Sequence, residues 1–279
     1  MPYQEIETEL APGVAVIWLN RPALRNAMND TLIAELTDAV ECAIEDDAIR
    51  AIVLGGRGSA FCAGADLNWL KRAREMSAEE AFEDSRRLAR LLRTIHDSPK
   101  PVVARVQGPA FAGGLGLVAA CDLAVASLDA KFSLSEVRLG LIPAMISPYV
   151  IGAIGEARAR RWFLTAEVFE AAEAWRVGLV DEVVPADDLD GALGTLLGHL
   201  LRAGPAALRE SKRLIRDVVG RPIDDALTDE TARRIAAVRA SPEGQEGIAA
   251  FFEKRRPAWA AAPASDGHRA PGGQPDIRS

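Results

Sequence analysis

The stretch that most constrains what this chain can become is Gln107–Leu141, QGPAFAGGLGLVAACDLAVASLDAKFSLSEVRLGL. In it a glycine-rich turn runs into small apolar residues and is followed by a lone carboxylate, Glu136. A glycine turn that opens a helix leaves backbone N–H groups unpaired with the positive end of the helix dipole behind them, which suits an oxygen that gathers negative charge. A second such segment, Gly55–Asp66 (GGRGSAFCAGAD), lies upstream, after a strand-like run and before an expected helix. Two turns offer two N–H donors to one oxygen, and donors already in place need no reorganisation as charge develops. Glu136 can supply a base. Glycines in turns equally serve tight packing alone, and spacing by itself leaves both readings open.

In chain order, Tyr3–Leu10 and Val14–Leu19 read as the strands of a hairpin turning at Pro12-Gly13. Leu32, Ile33, Leu36, Val40, Ala43 and Ile44 recur at helical spacing, with Asn29 or Asp30 as N-cap. Ala51–Leu54 reads as a buried strand entering the Gly55-Gly56 loop, and a helix is expected to begin near Asp66. Ser77 and Glu80 form a capping box for a helix ending near His96, after which Lys100-Pro101 resets the chain into the strand Val102–Val106. Gly113–Ala120 reads as a buried helix, Leu123–Ala126 and Leu179–Val184 as further strands, and residues 186–256 as helical. Alternating strands and helices make the class α/β. Residues 260–279, rich in Ala, Pro and Gly without periodicity, are expected to form a disordered tail.

Composition narrows the function classes. With 279 residues and 49% hydrophobic content the chain can bury a large core. A net charge of −7 argues against general affinity for nucleic acid or an anionic membrane surface. No apolar run reaches membrane-spanning length, and the acidic start MPYQEIETEL lacks a signal-peptide pattern. Cys42, Cys62 and Cys121 are irregularly spaced without a CxxC pair, so neither a disulfide framework nor a structural metal site is expected, and a reducing cytoplasm fits.

Gly114-Leu115-Gly116-Leu117-Val118-Ala119 matches the loose dinucleotide fingerprint, but Gly108–Ala112 separate it from its strand, and Asp122 precedes the next strand where an acid should follow it. The nicotinamide or flavin reading is set aside. There is no GxSxG, HExxH or P-loop, and His96, His199 and His268 have no neighbouring ligand partners, so they read as surface or packing residues. Cys62 reads as a small buried thiol and Asp66 as a helix N-terminal residue. Arg138 reads as a surface charge that shares the face of Glu136 only if that segment is extended.

Phe61–Leu67 (FCAGADL), Lys100–Ala104 (KPVVA), Gly108–Asp122 and Phe132–Pro143 follow one another in this order. Arg25–Asn29 (RNAMN) stands near the start and Phe252–Arg256 (FEKRR) near the end. Together they resemble the crotonase, or enoyl-CoA hydratase/isomerase, superfamily over about residues 3–258. The resemblance implies a right-handed crotonase-like spiral of ββα units as catalytic core over 1–185, a helical C-terminal trimerisation region over 186–258 and a tail at 259–279. It also implies a homotrimer or dimer of trimers acting on an acyl-CoA thioester, with coenzyme A part of that substrate and no separate cofactor or metal. By the same resemblance the N–H groups of Ala65 and Gly113 form an oxyanion hole. Substrate contacts would come from Arg25, Ala63, Gly64, Asp66, Leu67, Gly114, Gly116 and Lys254, with Arg138 attracting a distal carboxylate.

Hydratases of this family carry two glutamates, and here the second is Glu136 while the first position is Gly116. Adding water requires a proton at one carbon and an activated water at the other, which two carboxylates share. Shifting a double bond needs only one group, so the missing acid alone favours a Δ3,Δ2-enoyl-CoA isomerase. The finer pattern Leu134–Pro143 with Ile146-Ser147-Pro148 and Ser241–Gly247 resembles instead bacterial hydratases of branched acidic enoyl-CoAs, of the methylglutaconyl-CoA and carboxygeranoyl-CoA type. Syn addition of water with Glu136 as acid/base is therefore the leading expectation. A member that has lost catalysis and only binds acyl-CoA is a third, against which the retained Glu136 argues.

Overall fold

A computed structural model describes residues 3–260. The chain opens with the hairpin β1 (Ile6–Ala11) and β2 (Val14–Leu19). Helix α1 (Asp30–Glu45) follows, capped by the Asn29 side chain, which accepts from the Leu32 N–H at 2.8 Å. Next come β3 (Ala51–Gly56), α2 (Leu67–Ala73), α3 (Ala78–Asp97), β4 (Val102–Val106), β5 (Ala110–Phe111), α4 (Gly113–Ala120), β6 (Leu123–Ser127) and β7 (Lys131–Ser133). After a 3-10 turn at Glu136–Leu139 the order is α5 (Ser147–Ile154), α6 (Glu156–Thr165), β8 (Phe169–Glu170), α7 (Ala171–Arg176) and β9 (Glu182–Val184). Helices α8 (Leu189–Arg202), α9 (Pro205–Val218), α10 (Asp225–Ala240) and α11 (Pro242–Phe252) complete the described chain.

One sheet runs β1-β2-β3-β4-β6-β9, antiparallel at the hairpin and parallel from β2 onward. Parallel strands covered on both faces must be apolar on both, and these are. Ile17, Ile52, Leu54, Val102 and Ala104 join the large core that includes residues of α1, α3 and α4. The alternate residues Val14, Val53 and Val103 pack on the other face with Leu193 of α8. A second, smaller layer holds β5, β7 and β8, continued by single bridges between Met28 and Ala65 and between Cys62 and Ala110. Each turn of the chain lays a long strand in the first layer and a short strand or bridge in the second, then crosses back through a helix. This is the expected spiral of ββα units.

Several boundaries differ from those expected. The first strand begins at Ile6 rather than Tyr3, because the N–H groups of Gln4 and Glu5 are taken by the Glu35 carboxylate of α1, each at 2.8 Å. The expected strand Leu179–Val184 shortens to β9, since Leu179 and Val180 are buried in the turn after α7 and both donate to the Ala174 carbonyl. Residues 261–279 of the expected tail, with His268, lie outside the described residues. Trp259 is held in place, its carbonyl accepting from Arg50 at 2.6 Å and its indole N–H donating to the Arg202 carbonyl at 3.3 Å. No described helix is long and apolar enough to cross a membrane.

Asn26 ties the segment before α1 to the loop after β3. It is fully buried in a left-handed conformation (φ 56°), and its amide donates to the carbonyls of Arg57 at 2.9 Å and Ala60 at 2.8 Å. Its side-chain oxygen accepts the Arg21 N–H at 2.8 Å. Asn26→Ala removes these partners inside the protein and puts a methyl-bearing residue in a conformation that asparagine tolerates better. We expect a loss of about 3 kcal/mol in urea denaturation.

Candidate active site

The loop after β3 enters the second layer at Ala65. The Met28 N–H donates to the Gly64 carbonyl at 2.7 Å and the Asp66 N–H to the Met28 carbonyl at 2.8 Å. The Ala65 N–H between them takes no part in this bridge and has no protein acceptor among the described residues. Asp66 caps α2, accepting the Asn68 N–H at 2.7 Å, and pairs with Arg21 at 2.9 Å. Burial opposes its ionisation, but the Asn68 N–H and the Arg21 guanidinium prevail and hold its carboxyl below the usual range.

The second turn meets the first from the other side. The Ala112 N–H donates to the Ser133 carbonyl at 2.8 Å, and the chain then enters α4 with Gly113 at its first helical position. The Gly113 N–H also lacks a protein acceptor among the described residues. The two turns touch at Gly64: a Cβ built there would lie 3.2 Å from both the Ala112 Cβ and the Phe111 carbonyl oxygen, at a backbone φ of 96°. Only glycine satisfies both the left-handed backbone and the close approach.

Glu136 arrives from β7 at the start of the 3-10 turn. Its Oε2 is buried without a hydrogen-bond partner among the described residues, and burial pushes its carboxyl above the usual range. At about three residues per turn this conformation sends Arg138 to a different face, and Arg138 is exposed. The extended alternative that would align the two residues does not occur.

Ala65, Gly113 and Glu136 all line one cavity of about 370 Å³. Gly114 lies behind it, against Cys62, where an added Cβ would come within 2.7 Å of the Cys62 Cβ. Gly116 lies behind Ile146, which is itself a wall residue. Ala63 donates its N–H to the Arg25 carbonyl at 3.0 Å, so Arg25 shapes the loop through its backbone while its side chain is exposed. Leu67 is exposed at the start of α2, and Lys254 is exposed after α11. Arg25, Leu67, Arg138 and Lys254 are not among the residues that line the cavity.

Two wall residues carried no sequence signal. The Trp69 indole donates to Asp84 at 3.1 Å, and both face the cavity from separate helices. Burial pushes the Asp84 acid up, and the nearby Asp30 charge adds to this. Other expected bystanders behave as such. Burial pushes the Cys62 thiol up to about 12, and His96 packs edge-on against Tyr149 with centroids 5.2 Å apart. Among the described residues no three His, Cys, Asp or Glu side chains are grouped to hold a metal ion.

The family profile described as Enoyl-CoA hydratase/isomerase matches residues 9–262. The chain belongs to this family. Crotonyl-CoA hydratase of Syntrophomonas wolfei is 34% identical over 258 residues, covering 92% of this chain and 98% of that protein. The 2,3-dehydroadipyl-CoA hydratase of Escherichia coli is 34% identical over 247 residues, covering 88% and 94% respectively. The crystal structure of an enoyl-CoA hydratase from Shewanella pealeana matches with a TM-score of 0.90 at 40% identity, over 92% of this chain and 96% of that one. This member of the enoyl-CoA hydratase/isomerase family therefore has the crotonase fold, with the helices α8 to α11 closing its C-terminal part.

Ala112, in the cavity wall, is strained at φ 48° and ψ −120°, where residues with a side chain are rarely found. Ala112→Gly relieves that strain. We expect a gain of about 1 kcal/mol in denaturant unfolding, net of glycine's added freedom in the unfolded chain.

Proposed function

We propose that this enzyme hydrates a 2-enoyl-CoA thioester, with the Ala65 and Gly113 N–H groups receiving the thioester oxygen and Glu136 acting as the sole acid/base. The observation that carries the proposal is that two N–H groups and one buried carboxylate oxygen, each without a partner among the described residues, belong to residues lining a single cavity. Glu136 takes a proton from water as the water oxygen bonds to Cβ of the double bond. The π electrons move through Cα onto the thioester oxygen, and the two N–H groups stabilise the resulting enolate. Glu136 then returns its proton to Cα, the enolate collapses to the thioester, and the net change is one added water. Because one carboxylate serves one face, the addition is syn. Coenzyme A enters as part of the substrate, and no further cofactor takes part in a step.

The same groups suffice to shift a double bond, with Glu136 removing a proton at C2 and returning it at C4. This second reading is favoured by Gly116, which supplies no carboxylate from α4. Apart from Glu136, Asp84 and Ser85 the cavity walls are apolar, and both ionisable wall groups are acids. That supports a branched uncharged acyl chain over an acidic one, although a relative named for 2,3-dehydroadipyl-CoA keeps acidic chains in the test. A trimer and a cytoplasmic setting remain part of the proposal. Exposed Val219, Ile223, Phe251 and Phe252, in and around the C-terminal helices, support burial against other copies of the chain.

Product identification with crotonyl-, 3-hexenoyl- and 3-methylglutaconyl-CoA tests this. Hydration of the 2-enoyl thioesters is expected, and a shift of 3-hexenoyl-CoA without any hydration would replace hydratase by isomerase. Glu136→Gln is expected to lower kcat by about 10²–10⁴-fold, and full activity in that variant would place the base elsewhere. Glu136 must be ionised to accept the proton, so its raised pKa sets the sign of the pH effect. On acidification kcat/KM should fall at a higher pH than an ordinary glutamate would cause.

A further inference from the structure

We infer that Ile146 is the residue that keeps a carboxylate of α4 out of this site, because its branched side chain occupies the space into which a side chain at position 116 would grow. The inference rests on the proposed role of Glu136 and adds a second residue that decides the mechanism. Gly116 is the fourth residue of α4, one turn after the Gly113 donor, and is fully enclosed. A Cβ built on Gly116 would come within 2.7 Å of the Ile146 Cβ and closer still to its Cγ2, distances that real Cβ atoms essentially never show.

Ile146 cannot step aside cheaply. It is 2% exposed and lies immediately before α5, where its carbonyl accepts the Val150 N–H at 3.1 Å. The clashing atoms are its Cβ and the methyl attached to it, not the end of a long chain, and branching at Cβ stiffens the first torsion. Because Ile146 and Glu136 line the same cavity, the wall that position 116 would otherwise reach is hydrocarbon. A water bound between Glu136 and Ile146 then finds no carboxylate from α4, and both proton movements fall to Glu136.

The geometry makes a graded prediction. Trimming Ile146 to alanine leaves its Cβ, still 2.7 Å from a Cβ at 116. Only glycine at 146 clears the space. Gly116→Glu alone, and Gly116→Glu with Ile146→Ala, are expected to lower Tm by on the order of 5–10 °C through overpacking. Gly116→Glu with Ile146→Gly should unfold within about 2 °C of Ile146→Gly alone.

The second measurement is the pH profile of kcat/KM for crotonyl-CoA hydration. The wild type should show a single carboxylate limb, kept in Asp84→Asn, because Asp84, the other acid of the cavity wall, is engaged by the Trp69 indole. The Gly116→Glu, Ile146→Gly variant should gain a second limb and become bell-shaped, since one acid must then be ionised and the other protonated. Unchanged Tm in Gly116→Glu, two carboxylate limbs in the wild type, or an unaltered profile in the double variant would each overturn the inference. Wild-type protein that turns over no enoyl-CoA would instead defeat the proposed function, while the Tm series would still decide whether Ile146 blocks position 116.

Discussion

The contact between Gly64 and Ala112 presses together two loops that enter from different strands of the main sheet. Each loop ends in a residue whose N–H finds no partner among the described residues, Ala65 in one and Gly113 in the other. Unpaired backbone donors in a protein interior are unfavourable unless something else fulfils them. Here the main sheet fixes the strands that launch the loops, and the single bridges Met28–Ala65 and Cys62–Ala110 fix their ends. The strained backbone of Ala112 is held in the same way, by pairing on either side of it. Preorganisation at this site is thus a property of the whole spiral.

Three acids near the cavity show how surroundings divide labour among identical chemistry. Asp66 is held ionised by an N-cap bond and Arg21, and serves to anchor α2. Asp84 is engaged by the Trp69 indole, and burial raises its acid. Glu136 has a buried oxygen with no partner among the described residues, which fits the proton exchange proposed for it.

The C-terminal helices do more than append a region to the core. Leu193 of α8 closes the second face of the main sheet over Val14, Val53 and Val103. Lys212 of α9 reaches Asp122 at 2.6 Å, and Asp122 in turn accepts the Val102 N–H at 2.7 Å, so a charged chain links that helix to the start of β4. Of these helices α8 packs on the sheet, while α11 packs on α9 and α10 and leaves Phe251 and Phe252 exposed.

Much of this was legible in the amino-acid sequence by itself. Local patterns determined the helix after Asn29, the capping box at Ser77 and Glu80, and the apolar parallel strands β3, β4 and β6, because propensity, capping and periodicity act within a few residues. The two glycine turns and Glu136 were visible as well, although spacing alone left tight packing as an equal explanation of the glycines. The two-residue strands β5 and β8, the Trp69–Asp84 pair and the 3-10 turn that directs Arg138 away from Glu136 were not legible, because they depend on partners distant in the chain. Position 116 divides the two kinds of information most clearly. The sequence determined that no side chain stands there. Only the tertiary structure decided why none can, because the steric constraint comes from Ile146, which a separate segment brings against α4.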